Sequence, residues 1–315
     1  MASNEILFSI VIPTYNRANL IKRCIESVIN QTYQNWEAII VDNYSEDNTE
    51  EIVSSFNDER IRFYKNHNYG VISVSRNFAL DNSNGHWICF LDSDDSWASD
   101  KLEQILPYLN HFDIVYHGYV SNMSGMKLFG KSKRLFYTVK EPTVSYVLQR
   151  GDPFNPTCTA VLKSFIGDVR FSEDRALYAI EDYDFFLQLL MKNPRVKHLK
   201  KYLAFYDVTT GVSHNQMEHL SRSRLVYYKY KCLLTRNEFR NVLKLYLFLR
   251  GVNYLHTDLE KACKYLKAGT CSDAMEIRLL SYKWLLTAYV FRILNMFKSR
   301  YVSFHFESNN ATSYS

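Results

Sequence analysis

The apolar run Ile88-Cys89-Phe90-Leu91 ends abruptly in Asp92-Ser93-Asp94-Asp95, three carboxylates within four residues. A short apolar run without helical periodicity suits a strand buried on both faces of a parallel sheet. Acidic side chains at the carboxyl end of such a strand fall in the crevice where open α/β sheets bind ligands. Like charges this close raise one another's pKa unless a cation offsets them. Hard divalent cations such as Mg²⁺ take one or two carboxylates together with substrate phosphates. On this octet alone two readings stay open: a metal–diphosphate site, or a solvated acidic turn ahead of the next helix.

The segments before it supply the context. Phe8-Ser9-Ile10-Val11-Ile12-Pro13 reads as a first buried strand stopped by Pro13. Ala18, Ile21, Cys24, Ile25, Val28 and Ile29 recur at helical spacing and predict a helix over 17–31. A second strand, Trp36-Glu37-Ala38-Ile39-Ile40-Val41, ends in Asp42. A polar loop follows over 43–49, where Asp47 and Glu50 suggest a capping box. Ile61-Arg62-Phe63-Tyr64 is a third strand, and Ser73 is placed to cap a helix running to Leu80. The acidic run closes the fourth strand. This alternation predicts an α/β fold of nucleotide-binding type, a mostly parallel sheet flanked by helices with right-handed crossovers. Pro13, Asp42 and Asp92 then end on one rim.

The ordered set of Val11-Ile12-Pro13-Thr14-Tyr15-Asn16-Arg17, Val41-Asp42-Asn43-Tyr44-Ser45-Glu46-Asp47-Asn48-Thr49, Asn68-Tyr69-Gly70 with Ser75-Arg76-Asn77, and Leu91-Asp92-Ser93-Asp94-Asp95 resembles family 2 glycosyltransferases of the A-type (GT-A) fold. The resemblance is close over 6–110 and looser to about 215. It implies that Pro13, Thr14, Tyr15, Asn16 and Arg17 line a nucleotide and that Asp42 holds its uracil or ribose. Asn43 stands where the family often has a second acid. Asn68, Gly70 and Arg76 would close over the nucleotide and its diphosphate, although Arg76 could equally pair with an acid of 92–95, and Gly70 supplies a turn with positive φ. Asp92 and Ser93 fall beside the ribose, and Asp94 with Asp92 on a Mn²⁺ or Mg²⁺ ion.

In Glu181-Asp182-Tyr183-Asp184-Phe185-Phe186-Leu187-Gln188-Leu189-Leu190 the acids open a helix whose apolar residues share one face. The helix dipole favours anions there. The family carries its catalytic base at this place, which implies Asp182 as the base of an inverting displacement, with Glu181 as runner-up. A departure follows: where many relatives have Tyr-Arg-x-His, this sequence reads Tyr206-Asp207-Val208-Thr209, and His214 is the substitute candidate for the metal. Residues 127–136 read as a basic hairpin, and Asn155 to Thr159 as the start of a sheet element near the acceptor.

Six cysteines without a CxxC pair point to a reducing compartment. No stretch of about 18 apolar residues spans a bilayer, and the N-terminus lacks a signal-peptide pattern. The abundant Tyr and Phe suit surfaces that meet sugars. The net charge of +5 is uneven: residues 215–315 hold 16 Lys and Arg against 7 Asp and Glu, leaving 22 against 26 for residues 1–214. Such a basic third attracts phosphate-rich partners. Expected domains are 1–215, catalytic, with a nucleotide-sugar half to 110 and an acceptor half over 111–215; then 216–302, a basic amphipathic helical subdomain; then 303–315, a disordered tail. The resemblance implies transfer of one hexose from a UDP-sugar to a glycan or undecaprenyl-diphosphate-linked acceptor in O-antigen or capsule assembly, in the cytoplasm, with no nucleic-acid partner. Peripheral contact at the inner membrane face is the minority expectation. The alternatives are a non-catalytic nucleotide-binding or assembly subunit and, less well fitting, a haloacid-dehalogenase-type phosphatase.

Overall fold

The computed structural model describes residues 6–122, 131–134, 136, 138–207, 216–255, 257–270, 278–279, 281–286 and 289. His214, residues 127–130 and 135 of the expected hairpin, and the tail over 303–315 lie outside these residues. The first half alternates as the sequence predicts: β1 (Phe8–Thr14), α1 (Ala18–Ile29), β2 (Trp36–Asp42), α2 (Thr49–Ser54), β3 (Ile61–Lys65), α3 (Ile72–Asp81) and β4 (Trp87–Phe90). These four strands are parallel in the order β3-β2-β1-β4. Strands β1, β2 and β4 are buried along their whole length, as unbroken apolar runs require.

The second half turns mixed. It comprises β5 (Ser96–Trp97), α4 (Lys101–Ile105), β6 (Ile114–Asn122), β7 (Lys131–Arg134), α5 (Val144–Leu148), β8 (Thr159–Leu162), α6 (Lys163–Ile166), α7 (Glu181–Leu190) and β9 (Val196–Asp207). Strand β8 runs antiparallel to β4 and to β6, β7 is antiparallel to β6, and β9 is parallel to β6. The sheet is therefore wholly parallel in its first half and mixed in its second. Antiparallel neighbours can be joined by short connections, whereas parallel ones need a crossover.

Two expected caps differ from what forms. Asp47 accepts from the Thr49 N–H (3.1 Å) and from the Ala18 N–H (3.0 Å), so it ties the start of α1 to that of α2 instead of boxing with Glu50, which pairs with Lys65 at 2.5 Å. Helix α3 starts at Ile72 with Val71 as its N-cap, and Ser73 is buried in its first turn.

Contacts divide the chain into two compact units, residues 1–215 with 225–230, and 216–224 with 231–315. Beyond the sheet the described residues include α8 (Gln216–Lys229), α9 (Arg236–Tyr254) and α10 (Leu259–Thr270), and 278–279, 281–286 and 289 are helical as well. Thr235 and Glu238 cap α9 reciprocally. Leu245, Phe248, Leu255, Ala262, Cys263 and Leu266 form a small core between α9 and α10, with Trp284 and Leu285 packed on it. Gly251 is forced by that packing, since a Cβ there would meet the Leu266 backbone nitrogen at 2.9 Å.

One buried polar cluster ties the parallel half together. Glu37, near the start of β2, accepts from the Ser9 hydroxyl (2.6 Å), the Asn84 N–H (2.5 Å) and Arg62 (2.9 Å). Burial alone would raise its pKa, but the bonds from Ser9, Asn84 and Arg62 outweigh burial and hold it below the ordinary 4.5. A depressed folded value gives stability above the unfolded pKa that is lost as pH falls through the folded one. Glu37→Gln should cost about 2–3 kcal/mol in urea unfolding at neutral pH, and the gap to wild type should shrink below pH 4.5. A gap that stays constant to pH 3 would remove the carboxylate from this role.

Candidate active site

Register sets the site. Thr14 pairs with Asp42 and Asp42 with Lys65, so the strand ends share one rim with the acidic loop after β4. There a cavity of about 310 Å³ opens. Its walls include Pro13, Thr14, Tyr15 and Arg17 from the first loop, Asn43 from the second, and Asn68, Gly70 and Arg76 from the third. Asp92, Ser93 and Asp94 face it from the end of β4, and Glu181 and Asp182 from the start of α7. Residues up to 170 positions apart in the sequence thus meet at one opening.

Two predicted residues stand behind the wall. The buried Asp42 carboxylate accepts from the Ser45 N–H (2.8 Å) and from the Ser45 hydroxyl. Asn16 donates its N–H to Ser45 Oγ (2.8 Å) and accepts from the Glu46 N–H (2.8 Å). Asn16 thus clips the first loop to the second, and Asp42 fixes the serine that receives it. The chain of bonds continues: Asn43 Oδ1 accepts from the Asn68 N–H (2.7 Å), and Asn68 Oδ1 from the Gly70 N–H (2.9 Å). Gly70 adopts φ +80°, as the turn expectation requires, and Asn16, Tyr44, Tyr69 and Ala179 also have positive φ. For bulky residues such conformations cost of order 1–3 kcal/mol each, so the side-chain clips hold a strained rim in place.

Arg76 resolves toward the acids. It is buried, and its guanidinium donates to Asp92 at 2.9 Å and to Glu181 at 2.7 Å. Burial would weaken its charge, but Asp92, Glu181 and Asp182 outweigh that and raise its pKa. Burial raises Glu181 and Asp182 from their ordinary values, with Arg76 opposing in both. Asp182 is partly exposed to the cavity and accepts from the Tyr183 N–H at 2.8 Å. Asp94 lies 3.8 Å from Arg17. The fully buried Asp95 accepts from the Thr157 hydroxyl (2.6 Å) and the Asp207 N–H (3.0 Å), and burial followed by Asp92 drives its pKa well up.

The chemistry of this donor set fits a divalent cation. Asp92, Asp94, Asp95, Glu181 and Asp182 crowd around Arg17 and Arg76, while Arg23 pairs with a further acid, Asp207, at 3.2 Å. Negative charge is in excess. Among the described residues no group of three or more His, Cys, Asp or Glu is arranged to hold a metal. A cation here would need phosphate oxygens beside Asp92 and Asp94, the ligand mixture Mg²⁺ favours.

Sequence reasoning missed Ile72, Tyr178 and Ala179 on the wall, which also holds Asn155 and Pro156 of the segment expected near the acceptor, and Tyr206. Tyr178 and Ala179 sit in irregular backbone, where no periodicity signals a role. Pro156–Cys158 forms a single 3₁₀ turn before β8. The turn is held from behind: the Thr157 carbonyl accepts from Trp97 Nε1 (2.9 Å) and Lys101 Nζ (3.1 Å). Lys101 is fully buried over the Trp97 ring at 3.2 Å, and burial pushes its pKa down to about 8.

A sequence profile described as Glycosyl transferase family 2 matches residues 9–168. The protein is 36% identical over 138 residues to the UDP-Glc:alpha-D-GlcNAc-diphosphoundecaprenol beta-1,3-glucosyltransferase WfgD of Escherichia coli, covering 42% of this chain and 54% of that one. The chain thus spans about half the length of that relative. An uncharacterized glycosyltransferase of Haemophilus influenzae is 33% identical over 234 residues, covering 72% and 89%. Among solved structures, S. aureus TarS 1-349 in complex with UDP-GlcNAc superposes with a TM-score of 0.62 at 21% identity, covering 84% of this chain and 80% of that one. That likeness shows the fold: the A-type arrangement with its mixed sheet.

Arg76 is the testable centre of this geometry. Arg76→Ala should lower stability by roughly 3–5 kcal/mol in urea unfolding, because it leaves two buried carboxylates without a counter-charge. Arg76→Lys should fall between, since one ammonium cannot reproduce both planar bonds. A loss below about 1 kcal/mol for Arg76→Ala is the size expected of an exposed pair and would contradict the buried bridge.

Proposed function

The chain belongs to glycosyl transferase family 2, and from that premise we propose that it is an inverting, metal-dependent transferase moving one hexose from a UDP-sugar to a hydroxyl of a glycan, carried on a polyprenyl diphosphate, in the assembly of surface polysaccharide. One observation carries the reading: the acids of the β4 end and of the α7 start open on the same cavity as the loops that the family uses for the nucleotide. UDP as donor is supported by the names of relatives that use UDP-glucose or bind UDP-GlcNAc. A lipid-linked acceptor is supported by the diphosphoundecaprenol in the name of WfgD.

In this reading Asp182 accepts the proton of the acceptor hydroxyl as that oxygen attacks the anomeric carbon. The new C–O bond forms opposite the breaking bond, and its electron pair leaves with the nucleoside diphosphate. A carboxyl raised by burial suits this task, because a base works best with its pKa moved toward the working pH. Glu181 is committed to Arg76, so it positions that arginine and leaves Asp182 facing the cavity. Arg76 in turn holds Asp92. Mn²⁺ or Mg²⁺ on Asp94 and Asp92 would supply Lewis-acid charge for the departing diphosphate. Thr14, Tyr15, Arg17, Asn43 and Asn68 bind and orient the nucleotide, and Asp42 and Asn16 brace the loops that carry them. Asn155, Tyr178 and Tyr206 are placed to meet the sugars.

Asp182→Asn should lower kcat by about 10²- to 10⁴-fold while UDP with Mn²⁺ still raises the melting temperature, since binding to the folded state stabilises it by mass action. The acid limb of kcat/KM should lie above pH 3.8, the ordinary value for this residue, because the base is lost as pH falls through its raised pKa. Retained turnover in Asp182→Asn would move the base elsewhere. Failure of every nucleoside diphosphate to shift the melting temperature, with either metal, would undo the donor assignment.

A further inference from the structure

We propose that Asp184 is a positioning residue for the transfer reaction. Gripped by Lys229 and Tyr230, it fixes the roll of the first turn of α7 and thereby the aim of Asp182 into the cavity. Asp184 is fully buried, although Asp182, two residues earlier, lines the cavity. Its carboxylate accepts from the Lys229 ammonium at both oxygens (2.7 and 2.9 Å), from the Tyr230 hydroxyl (3.0 Å) and from the Gln188 amide (2.9 Å). Lys229 and Tyr230 fall in residues 225–230, which group with residues 1–215 in one compact unit. That short stretch is anchored by the buried Val226, Tyr227 and Tyr230, and Tyr227 meets Tyr183 of α7 edge-on at 6.5 Å.

Packing alone does not need this clamp. Phe185, Phe186, Leu187, Leu189 and Leu190 already bury α7, and a buried ion pair adds little stability over apolar side chains of similar volume. What it adds is one permitted arrangement, because a buried carboxylate keeps its place only while its partners stay within bonding distance. At 3.6 residues per turn Asp182 and Asp184 lie about 160° apart around the helix axis. A roll of α7 that carried Asp184 toward water would therefore turn Asp182 away from the cavity. Burial, then the Asp184 carboxylate, pushes the Tyr230 hydroxyl up from its ordinary pKa, so it stays a proton donor in the clamp. With Glu181 tied to Arg76 at 2.7 Å, the turn that bears Asp182 is fixed from two sides.

The clamp rests on the reading of Asp182 as the base, and its test separates the two. Lys229→Met keeps the half-exposed stem of the side chain and removes its ammonium, and Tyr230→Phe removes only a hydroxyl. With UDP-glucose and Mn²⁺, each folded variant should release UDP with kcat lower by about 10- to 100-fold, the cost of a small misplacement of a reacting group. KM for UDP-glucose, and the rise in melting temperature with UDP and Mn²⁺, should stay at wild-type values. Lys229→Arg should recover most of the lost kcat. Amide exchange over residues 184–187 should quicken by about tenfold in Lys229→Met as the turn loosens, a readout that does not depend on which sugar is the donor. Lower stability with unchanged kcat overturns the positioning role, as does a loss that Lys229→Arg fails to restore, or unchanged exchange. Full turnover in Asp182→Asn would sink the base assignment, whereas wild-type kcat in the Lys229 and Tyr230 variants beside an inactive Asp182→Asn would sink the clamp alone.

Discussion

Everything at the cavity depends on a single buried cation. Arg76, on α3, bonds both to Asp92 beyond β4 and to Glu181, 105 residues further along the chain. Without it, two carboxylates would face each other in low dielectric, and one would have to take a proton or swing away. With it, the start of α7 is fastened to the end of β4, and Asp182 is carried to the cavity as the next residue. The fork of the guanidinium matters as much as its charge, because it fixes two partners in one plane. The arginine is thus committed to structure, tying the two acids to each other.

The nucleotide side of the cavity is held by a different device, a relay of short polar side chains. Asp42 holds Ser45, Ser45 meets Asn16, Asn16 meets Glu46, and Asn43 holds Asn68. Each link satisfies a backbone N–H that no helix or strand can reach. The relay keeps Asn16, Tyr44 and Tyr69 at positive φ. Tyr44 and His67 stack at 3.7 Å, and Tyr69 follows the histidine at 5.7 Å. Loops fixed in this way need little reorganisation to receive a ligand, which is where preorganisation saves free energy.

What could be read from the sequence was what periodicity and strand ends encode. The parallel half, the common rim and the acidic opening of α7 follow from apolar runs stopped by polar residues. Whether a residue at the rim becomes wall or brace did not follow. Asp42 and Asp92 look alike in sequence, each a carboxylate just past a strand, yet the first turns into its own loop and the second outward. That choice is made by Ser45 and by Arg76, through contacts that spacing does not reveal. The antiparallel β8 was equally hidden, because a four-residue apolar segment carries no mark of direction. Tyr178 and Ala179 reach the cavity from irregular backbone, and Lys101 is buried against expectation because Trp97 and the Thr157 carbonyl receive its amine.

The uneven charge of the chain follows from the same electrostatics. The carboxylates of the cavity belong to an acidic part of the chain, residues 1–214, with 22 bases against 26 acids. An acidic body is repelled by an anionic leaflet at distances within a Debye length, about 8 Å at physiological salt. An acceptor anchored in such a leaflet would then be approached against the field. Residues 215–315 carry the opposite balance, 16 bases against 7 acids.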